Sequence, residues 1–122
     1  MRIICVDRTP IMLQSLKETA EMAFPHADVQ AFSSEEPALN YAREVGCDVL
    51  LCEINPPRLE GLFLAEHIQK IHPRVNIIFV TVCSESEHAK AVMSLKPSGY
   101  LTKEVDNMRI LAELQNLRYP VA

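Results

Sequence analysis

Three short, unbroken apolar runs constrain the fold of this chain more than any other feature of its sequence. They are Ile-Ile-Cys-Val at 3–6, Val-Leu-Leu-Cys at 49–52 and Ile-Ile-Phe-Val at 77–80. A strand with one face in water alternates apolar and polar residues, so an unbroken run is typical of a strand covered on both faces. We therefore expect these runs to form the centre of a parallel sheet. Two more mixed runs, 29–32 and 99–102, are expected nearer its edges.

Between these runs the apolar residues recur at helical spacing, which predicts five amphipathic helices. The five stripes are Leu13, Leu16, Ala20 and Ala23; Ala38, Tyr41, Ala42 and Val45; Leu64, Ala65, Ile68 and Ile71; Ala89, Val92 and Met93; and Ile110, Leu114 and Leu117. Five strands alternating with five helices predict an α/β fold in which a doubly wound, five-stranded parallel sheet lies between two layers of helices.

Polar residues at helix starts refine these boundaries. Thr9 before Pro10 predicts the start of the first helix, and Asp106 is the expected cap of the fifth. Ser33 and Glu36 have the spacing of a capping box, which predicts that the second helix starts after Ser33.

Length and charge limit the classes of protein that fit. A chain of 122 residues, 48% of them hydrophobic, predicts one domain spanning 1–122. Its formal net charge of −4 argues against direct binding of a nucleic acid backbone. No apolar run approaches the roughly 20 residues that cross a bilayer, so we expect no membrane association and a cytoplasmic location. Residues 118–122, beyond the last helix, are either a terminus or the start of a linker to an absent output domain.

The four cysteines do not predict a metal or redox site. Cys5, Cys47, Cys52 and Cys83 are widely spaced, and none belongs to a C-x-x-C motif. Cys5 and Cys52 lie inside apolar runs, where a free thiol behaves as a small hydrophobic group. Buried, reduced cysteines are therefore expected.

Ionisable and hydroxyl side chains stand where four of the five predicted strands end. Asp7 and Arg8 follow the first strand, Glu53 ends the third, Thr81 ends the fourth and Lys103 follows the fifth. Ligands of a doubly wound sheet bind beyond the carboxyl ends of its strands, so these five residues form the candidate site.

The residues around these positions resemble the response-regulator receiver domain of two-component signalling over the whole chain. The segments that carry the resemblance are Ile-Ile-Cys-Val-Asp7 with Pro10, Asp48-Val-Leu-Leu-Cys-Glu53-Ile-Asn-Pro-Pro57 with Gly61, Ile-Ile-Phe-Val-Thr81, and Ser98-Gly-Tyr-Leu-Thr-Lys103. The resemblance implies the strand order 2-1-3-4-5, with the first and fifth helices on one face of the sheet and the other three on the opposite face. The 98–103 segment and the Leu-Arg-Tyr-Pro-Val ending are most similar to receivers that precede LytTR-type DNA-binding domains.

The family also implies roles for individual residues. In such receivers, two adjacent acids after the first strand and an aspartate at the end of the third strand hold Mg²⁺, and a histidine kinase supplies the phosphoryl group that this aspartate accepts. Asp7 matches the first acid. Thr81 and Lys103 match the residues that contact the phosphoryl oxygens, and Tyr100 matches a switch aromatic. This resemblance makes Thr81 and Tyr100 a candidate switch pair.

Three positions depart from the family pattern. Arg8 stands in place of the second acid, Glu53 in place of the phosphorylated aspartate, and Glu104 where a proline with a cis peptide bond is common. Without proline a cis bond costs about 3 kcal/mol, so a trans bond is expected. The formal charges of Asp7, Arg8, Glu53 and Lys103 sum to zero, whereas the family site is negative and needs a divalent cation. We therefore expect no Mg²⁺, with Arg8 occupying the space of the ion.

Three hypotheses for function follow. The first is a pseudo-receiver, a phosphorylation-independent interaction module without enzymatic activity, in which Glu53 either mimics the phosphorylated state or pairs with Arg8 in an inactive one. The second is a residual phosphoacceptor modified on Glu53, although the extra methylene of glutamate displaces the nucleophile. The third, a flavodoxin-like cofactor binder, is disfavoured because Arg8-Thr9-Pro10 offers few backbone donors for a phosphate.

The expected partners are proteins. The resemblance implies a histidine kinase, and a partner or output domain contacting the surface of the fourth helix, fifth strand and fifth helix. The fourth helix bears His88, Lys90 and Lys96 and is the least apolar of the five. Exposed ion pairs contribute little, so a monomer or weak homodimer is expected.

Overall fold

The computed structural model describes residues 1–54, 59–81, 89–102 and 106–121. In chain order the elements are β1 (Arg2–Val6), α1 (Pro10–Ala23), β2 (Asp28–Phe32), α2 (Glu35–Glu44), β3 (Val49–Ile54), α3 (Glu60–Ile71), β4 (Asn76–Thr81), α4 (Ala89–Ser94), β5 (Gly99–Thr102) and α5 (Asn107–Leu114). The alternation of strands and helices predicted from the sequence is confirmed.

The five strands form one parallel sheet in the order β2-β1-β3-β4-β5, as predicted. The central strands β3 and β4 are buried along their whole length. At the edges, β2 and β5 are only partly covered. Unbroken apolar runs therefore identified the interior of the sheet, since only these strands are covered on both faces.

Alternate residues of the strands belong to two hydrophobic cores, one on each face of the sheet. One core contains Ala38, Ala42, Ala65, Ile68 and Val92, and so joins α2, α3 and α4 to the sheet. The other contains Leu16 and Ala20 of α1 together with Ile110 and Leu114 of α5. This is the predicted distribution of helices.

Two helix starts illustrate where local signals succeeded and failed. Asp106 caps α5, and its Oδ1 accepts a hydrogen bond from the Arg109 N–H at 2.9 Å. The capping box predicted at Ser33 is wrong. Ser34 is the N-cap of α2 and makes no side-chain cap bond, and this shift of one residue leaves Glu36 at the second helical position rather than the third.

The described cysteines are free and buried, as expected: Cys5, Cys47 and Cys52. Cys83 lies outside the described residues. Over the described part of the chain, no helix is long and apolar enough to span a membrane.

Candidate functional site

The carboxyl edge of the sheet brings three of the predicted site residues into the protein interior. Asp7 follows β1, Glu53 lies in β3 and Thr81 ends β4. Their relative exposures are 0%, 3% and 1%. Buried carboxylates need polar partners, because an isolated charge away from water is costly. The contacts made by these side chains therefore define the site.

Backbone amides of the loop after β1 bind both carboxylates. The Thr9 N–H donates to Asp7 Oδ1 at 2.8 Å. The Arg8 N–H donates to Glu53 Oε1 at 2.6 Å and so joins this loop to β3. A carboxylate that accepts an N–H bond is a strong, charge-assisted acceptor. The loop geometry thus stabilises two negative charges at the sheet edge.

The Arg8 guanidinium contacts a residue that the sequence analysis did not include. Its Nη2 atom lies 2.8 Å from Glu35 Oε1, in an ion pair whose side chains are 36% and 15% exposed. Glu35 is the first residue of α2. The contact between Arg8 and Glu53 runs through the backbone N–H, whereas the side-chain charge of Arg8 is directed to Glu35.

A sequence signal for Glu35 existed. It follows β2, whose carboxyl end lies at the same edge as those of β1 and β3. Ser33 and Glu36 have the spacing of a capping box, and this spacing predicted a start of α2 one residue too early. Correct placement would have put Glu35 at the helix start, where acidic residues are favoured.

The thiol of Cys52, which precedes Glu53 in β3, lies in the negative potential of the site. Burial is the main cause that raises its pKa well above the ordinary value, and the negative charges of Glu35, Glu53 and Asp7 raise it further. Ionisation of this thiol is therefore disfavoured both by burial and by the negative charge of the site.

Gly61, in the first turn of α3, lies directly against the backbone of Glu53. A Cβ atom at this glycine would stand 1.9 Å from the Glu53 carbonyl oxygen and 3.1 Å from Cys52 Sγ. No side chain fits at such distances. Because Gly61 has no side chain, α3 packs directly onto the end of β3. This contact holds the part of β3 that carries Glu53 against α3.

Thr81 and Tyr100 share the face of the sheet covered by α2, α3 and α4. Tyr100 is half-buried, packs against the core on that face and lies opposite Phe79 in the β4–β5 register. Since Phe79 belongs to the same core and alternate residues share a face, Thr81 points to this side too. Coupling between Thr81 and Tyr100 stays a prediction. Lys103 and Glu104, together with His88 of the predicted fourth helix, lie outside the described residues.

Comparison with known proteins bears directly on this arrangement. A family model described as "Response regulator receiver domain" matches residues 3–115. This chain belongs to that family. The receiver domain resemblance drawn from the strand ends is therefore confirmed at the level of the family.

Individual relatives agree with the assignment. The receiver domain is 23% identical over 118 residues to the transcriptional regulatory protein MctR of Rhizobium johnstonii, covering 96% of this chain and 55% of MctR. It is 35% identical over 74 residues to the response regulator GacA of Pseudomonas viridiflava, covering 61% of this chain and 34% of GacA. The chain thus spans between a third and just over half of these relatives.

A solved structure gives the same fold. The CheY-like response regulator receiver domain protein from Methanospirillum hungatei JF-1 superposes with a TM-score of 0.81 at 24% identity, over 93% of this chain and 90% of that one. At this identity the likeness concerns the fold, which is the five-stranded parallel sheet described above.

The described residues at this edge of the receiver domain differ from the Mg²⁺-binding set that the family implies. Within the described ranges, no group of three or more His, Cys, Asp or Glu side chains is arranged to hold a metal. Asp7 and Glu53 each accept a backbone N–H. The position of the second acid carries Arg8, a cation paired with Glu35. A hard divalent ion prefers several oxygen ligands and is repelled by a guanidinium.

Proposed function

We propose that this receiver domain is a phosphorylation-independent signalling and protein-interaction module of two-component signal transduction, without enzymatic activity of its own. The observation that carries the proposal is the contact set of Arg8. Its N–H donates to Glu53 Oε1 and its guanidinium pairs with Glu35. The residue in place of the second acid therefore bonds to Glu53 through its backbone and brings a guanidinium, paired with Glu35, to the same edge of the sheet.

The electrostatics support the same proposal. At about 4 Å two unit charges interact by roughly 4 kcal/mol at an effective dielectric constant of 20, so a cation beside the site adds repulsion toward Mg²⁺. Glutamate at 53 moves the carboxylate one methylene farther from the strand than aspartate would. We infer that any Mg²⁺ affinity lies beyond the millimolar range, and that phosphoryl transfer onto Glu53 is lost with it.

Stabilisation of one conformation is the expected role of these contacts. In the sequence analysis, Glu53 either mimicked the phosphorylated state or paired with Arg8. The contacts favour a third arrangement, in which Arg8 connects β3 to α2 through Glu53 and Glu35. We propose that this connection sets the conformation presented to partners without a phosphoryl group.

Mass spectrometry after treatment with acetyl phosphate and Mg²⁺ tests the proposal. We expect no acyl phosphate on the unaltered protein, on Glu53→Asp or on Arg8→Asp. Only Arg8→Asp combined with Glu53→Asp is expected to bind Mg²⁺ and become modified. Sub-millimolar Mg²⁺ binding to the unaltered protein by titration calorimetry, or modification of Glu53, would instead establish a residual phosphoacceptor.

The partners are proposed to be proteins. We propose that a histidine kinase or an output domain contacts the surface formed by α4, β5 and α5. Its exposed apolar residues include Met93 at 55% and Met108 at 71% exposure, which support an interaction surface. Three buried, free thiols fit a reducing compartment such as the cytoplasm.

We also propose that the domain is the receiver part of a LytTR-type transcription regulator. The 98–103 segment and the ending Leu-Arg-Tyr-Pro-Val support this assignment, and the relative MctR is a transcriptional regulatory protein. Reading the gene beyond codon 122 tests it. A basic DNA-binding region is expected there, and a stop codon would make the chain a single-domain partner protein.

A further inference from the structure

The amino edge of the sheet, opposite the candidate site, binds the segment that follows α5 through a buried side chain. Asn76 begins β4 and is 1% exposed. Its Nδ2 donates to the Tyr119 carbonyl oxygen at 3.0 Å, and its Oδ1 accepts from the Tyr119 N–H at 2.7 Å. The amide therefore makes the two hydrogen bonds that a neighbouring strand would make.

Ser98 completes this connection. Its Oγ donates to Asn76 Oδ1 at 3.0 Å and accepts from the Arg118 N–H at 3.0 Å. Two successive residues after α5, Arg118 and Tyr119, are thus fixed by side chains from the starts of β4 and β5. Their side chains are held at a defined place on the surface rather than on a loose tail.

Two arginines lie over the Tyr119 ring, and two lysines line the cavity beside it. The Cζ atoms of Arg74 and Arg118 lie 5.6 and 5.9 Å from its centroid. Lys70 and Lys96 line, together with Tyr119, a shallow cavity of about 290 Å³ between the ends of α3 and α4. We call these five residues the Tyr119 patch.

No carboxylate among the described residues neutralises the charges of the Tyr119 patch. All four cationic residues are exposed, and within the described ranges none forms an ion pair with a carboxylate. Two acids on flanking elements are bound elsewhere, since Asp48 accepts from the Arg2 N–H at 2.7 Å and Glu113 lies 3.7 Å from Arg109. A domain of net charge −4 therefore concentrates four positive charges at one edge.

Lys96 adds an independent observation. Its φ of 51° lies in the left-handed region, which favours glycine or asparagine. A lysine in this conformation has a less favourable backbone free energy than a glycine would have. The turn itself does not require the long cationic side chain, which lines the cavity beside Tyr119. Unfavourable backbone geometry of this kind is typical of functional positions.

We propose that the Tyr119 patch binds an acidic segment of a partner protein. Guanidinium groups bind carboxylates through paired N–H donors. The aromatic ring and the small cavity provide apolar contact for a side chain flanked by acids. A nucleic acid backbone fits less well, because the remainder of the domain is negative and would repel it. The proposal is independent of the state of Glu53.

Fluorescence anisotropy with a labelled octaglutamate peptide tests the proposal. The unaltered protein is expected to bind at low salt and to lose about fivefold or more in affinity between about 50 and 300 mM NaCl. The charge reversals Arg74→Glu and Lys96→Glu together should weaken binding about tenfold or more. The matched control, Lys17→Glu with Arg43→Glu, makes the same change in net charge outside the Tyr119 patch and should change binding less than about twofold.

Two further measurements keep the test decisive. Circular dichroism checks that both double variants fold; if the Tyr119 patch variant does not, Arg74→Gln alone should weaken binding about threefold. In NMR titrations, the amides of Lys96, Arg118 and Tyr119 should shift. The proposal is overturned by absence of saturable binding, by equal losses in both double variants, or by tighter binding of a short DNA duplex than of the peptide.

Discussion

At the scale of single residues, Gly61 has the most restricted environment in the site. Its φ is unremarkable, and what excludes a side chain is the Glu53 carbonyl oxygen 1.9 Å from the position of a Cβ atom. The atom that a Cβ at 61 would meet belongs to the backbone, which cannot move aside as a flexible side chain can. The packing of α3 against β3 therefore depends on one missing methyl group.

The substitution Gly61→Ala should destabilise the fold by about 2 kcal/mol or more, because the backbones of α3 and β3 must separate. Helix propensity alone would predict the opposite, a gain of about 1 kcal/mol. Urea unfolding measures the difference. Gly99→Ala is the matched control, because its Cβ atom would meet the movable Glu113 carboxylate at 2.7 Å. Equal free energies of unfolding for the two variants would contradict the backbone explanation.

The buried thiols make a second prediction at this scale. Burial raises the pKa of Cys5 from the ordinary 9.0 to about 12, with a smaller contribution from Glu21 that Lys17 opposes. The unfolded chain therefore ionises this thiol at lower pH than the folded one. Its contribution to stability is complete below pH 9 and is lost as the pH rises from 9 toward 12, at about 1.4 kcal/mol per pH unit.

Urea unfolding between pH 8 and 11 under reducing conditions checks this expectation. Stability should fall less steeply with pH above 9 in Cys5→Ala than in the unaltered protein, although the variant is less stable at pH 8 because of the cavity it creates. Parallel curves for the two proteins would show that Cys5 does not titrate in this way.

At the scale of elements, the accuracy of the sequence analysis followed the strength of the physical signal. The interiors of β3 and β4 were predicted because burial on both faces requires continuous apolar residues. The start of α2 was misplaced because Ser33 and Ser34 are adjacent and either can precede a helix. Local spacing does not distinguish these two serines as the N-cap. In the structure β2 ends at Phe32 and Ser34 is the N-cap.

The helix caps differ in a way that can be measured. Asp106→Ala should lower the free energy of unfolding by about 1 kcal/mol, since it removes the bond to the Arg109 N–H. Ser34→Ala is the matched control. Ser34 occupies the same position in α2 but makes no cap bond with its side chain, so its loss should cost only a few tenths of a kcal/mol. Similar costs at both positions would contradict the assigned caps.

At the scale of the whole molecule, the strand order and the distribution of helices were predicted correctly. Both predictions came from the family resemblance carried by the sequence. The side-chain contacts of the candidate site were less accessible. Asp7, Glu53 and Thr81 were located from strand ends alone. The Arg8–Glu35 ion pair was missed because the start of α2 was placed one residue too early, which hid an acid at the same sheet edge as Arg8, 27 positions away.

Association is predicted to be weak. Sedimentation at low micromolar concentration should show a monomer or a weak dimer, because the exposed charges of α4 and α5 contribute little each. The charge reversal Lys90→Glu on α4 should weaken any dimer further, whereas Arg43→Glu on α2 should leave it unchanged. A tight dimer that is insensitive to Lys90→Glu would contradict the use of the α4–β5–α5 surface.

The strand β4 connects the candidate site to the edge that carries the proposed Tyr119 patch. Asn76 begins it, Thr81 ends it, and all six of its residues are buried. At about 3.3 Å per residue these ends are roughly 17 Å apart. On the two proposals made above, the candidate site and the Tyr119 patch lie at opposite ends of this strand, and a domain that binds a molecule at each would hold them at a separation it cannot shorten.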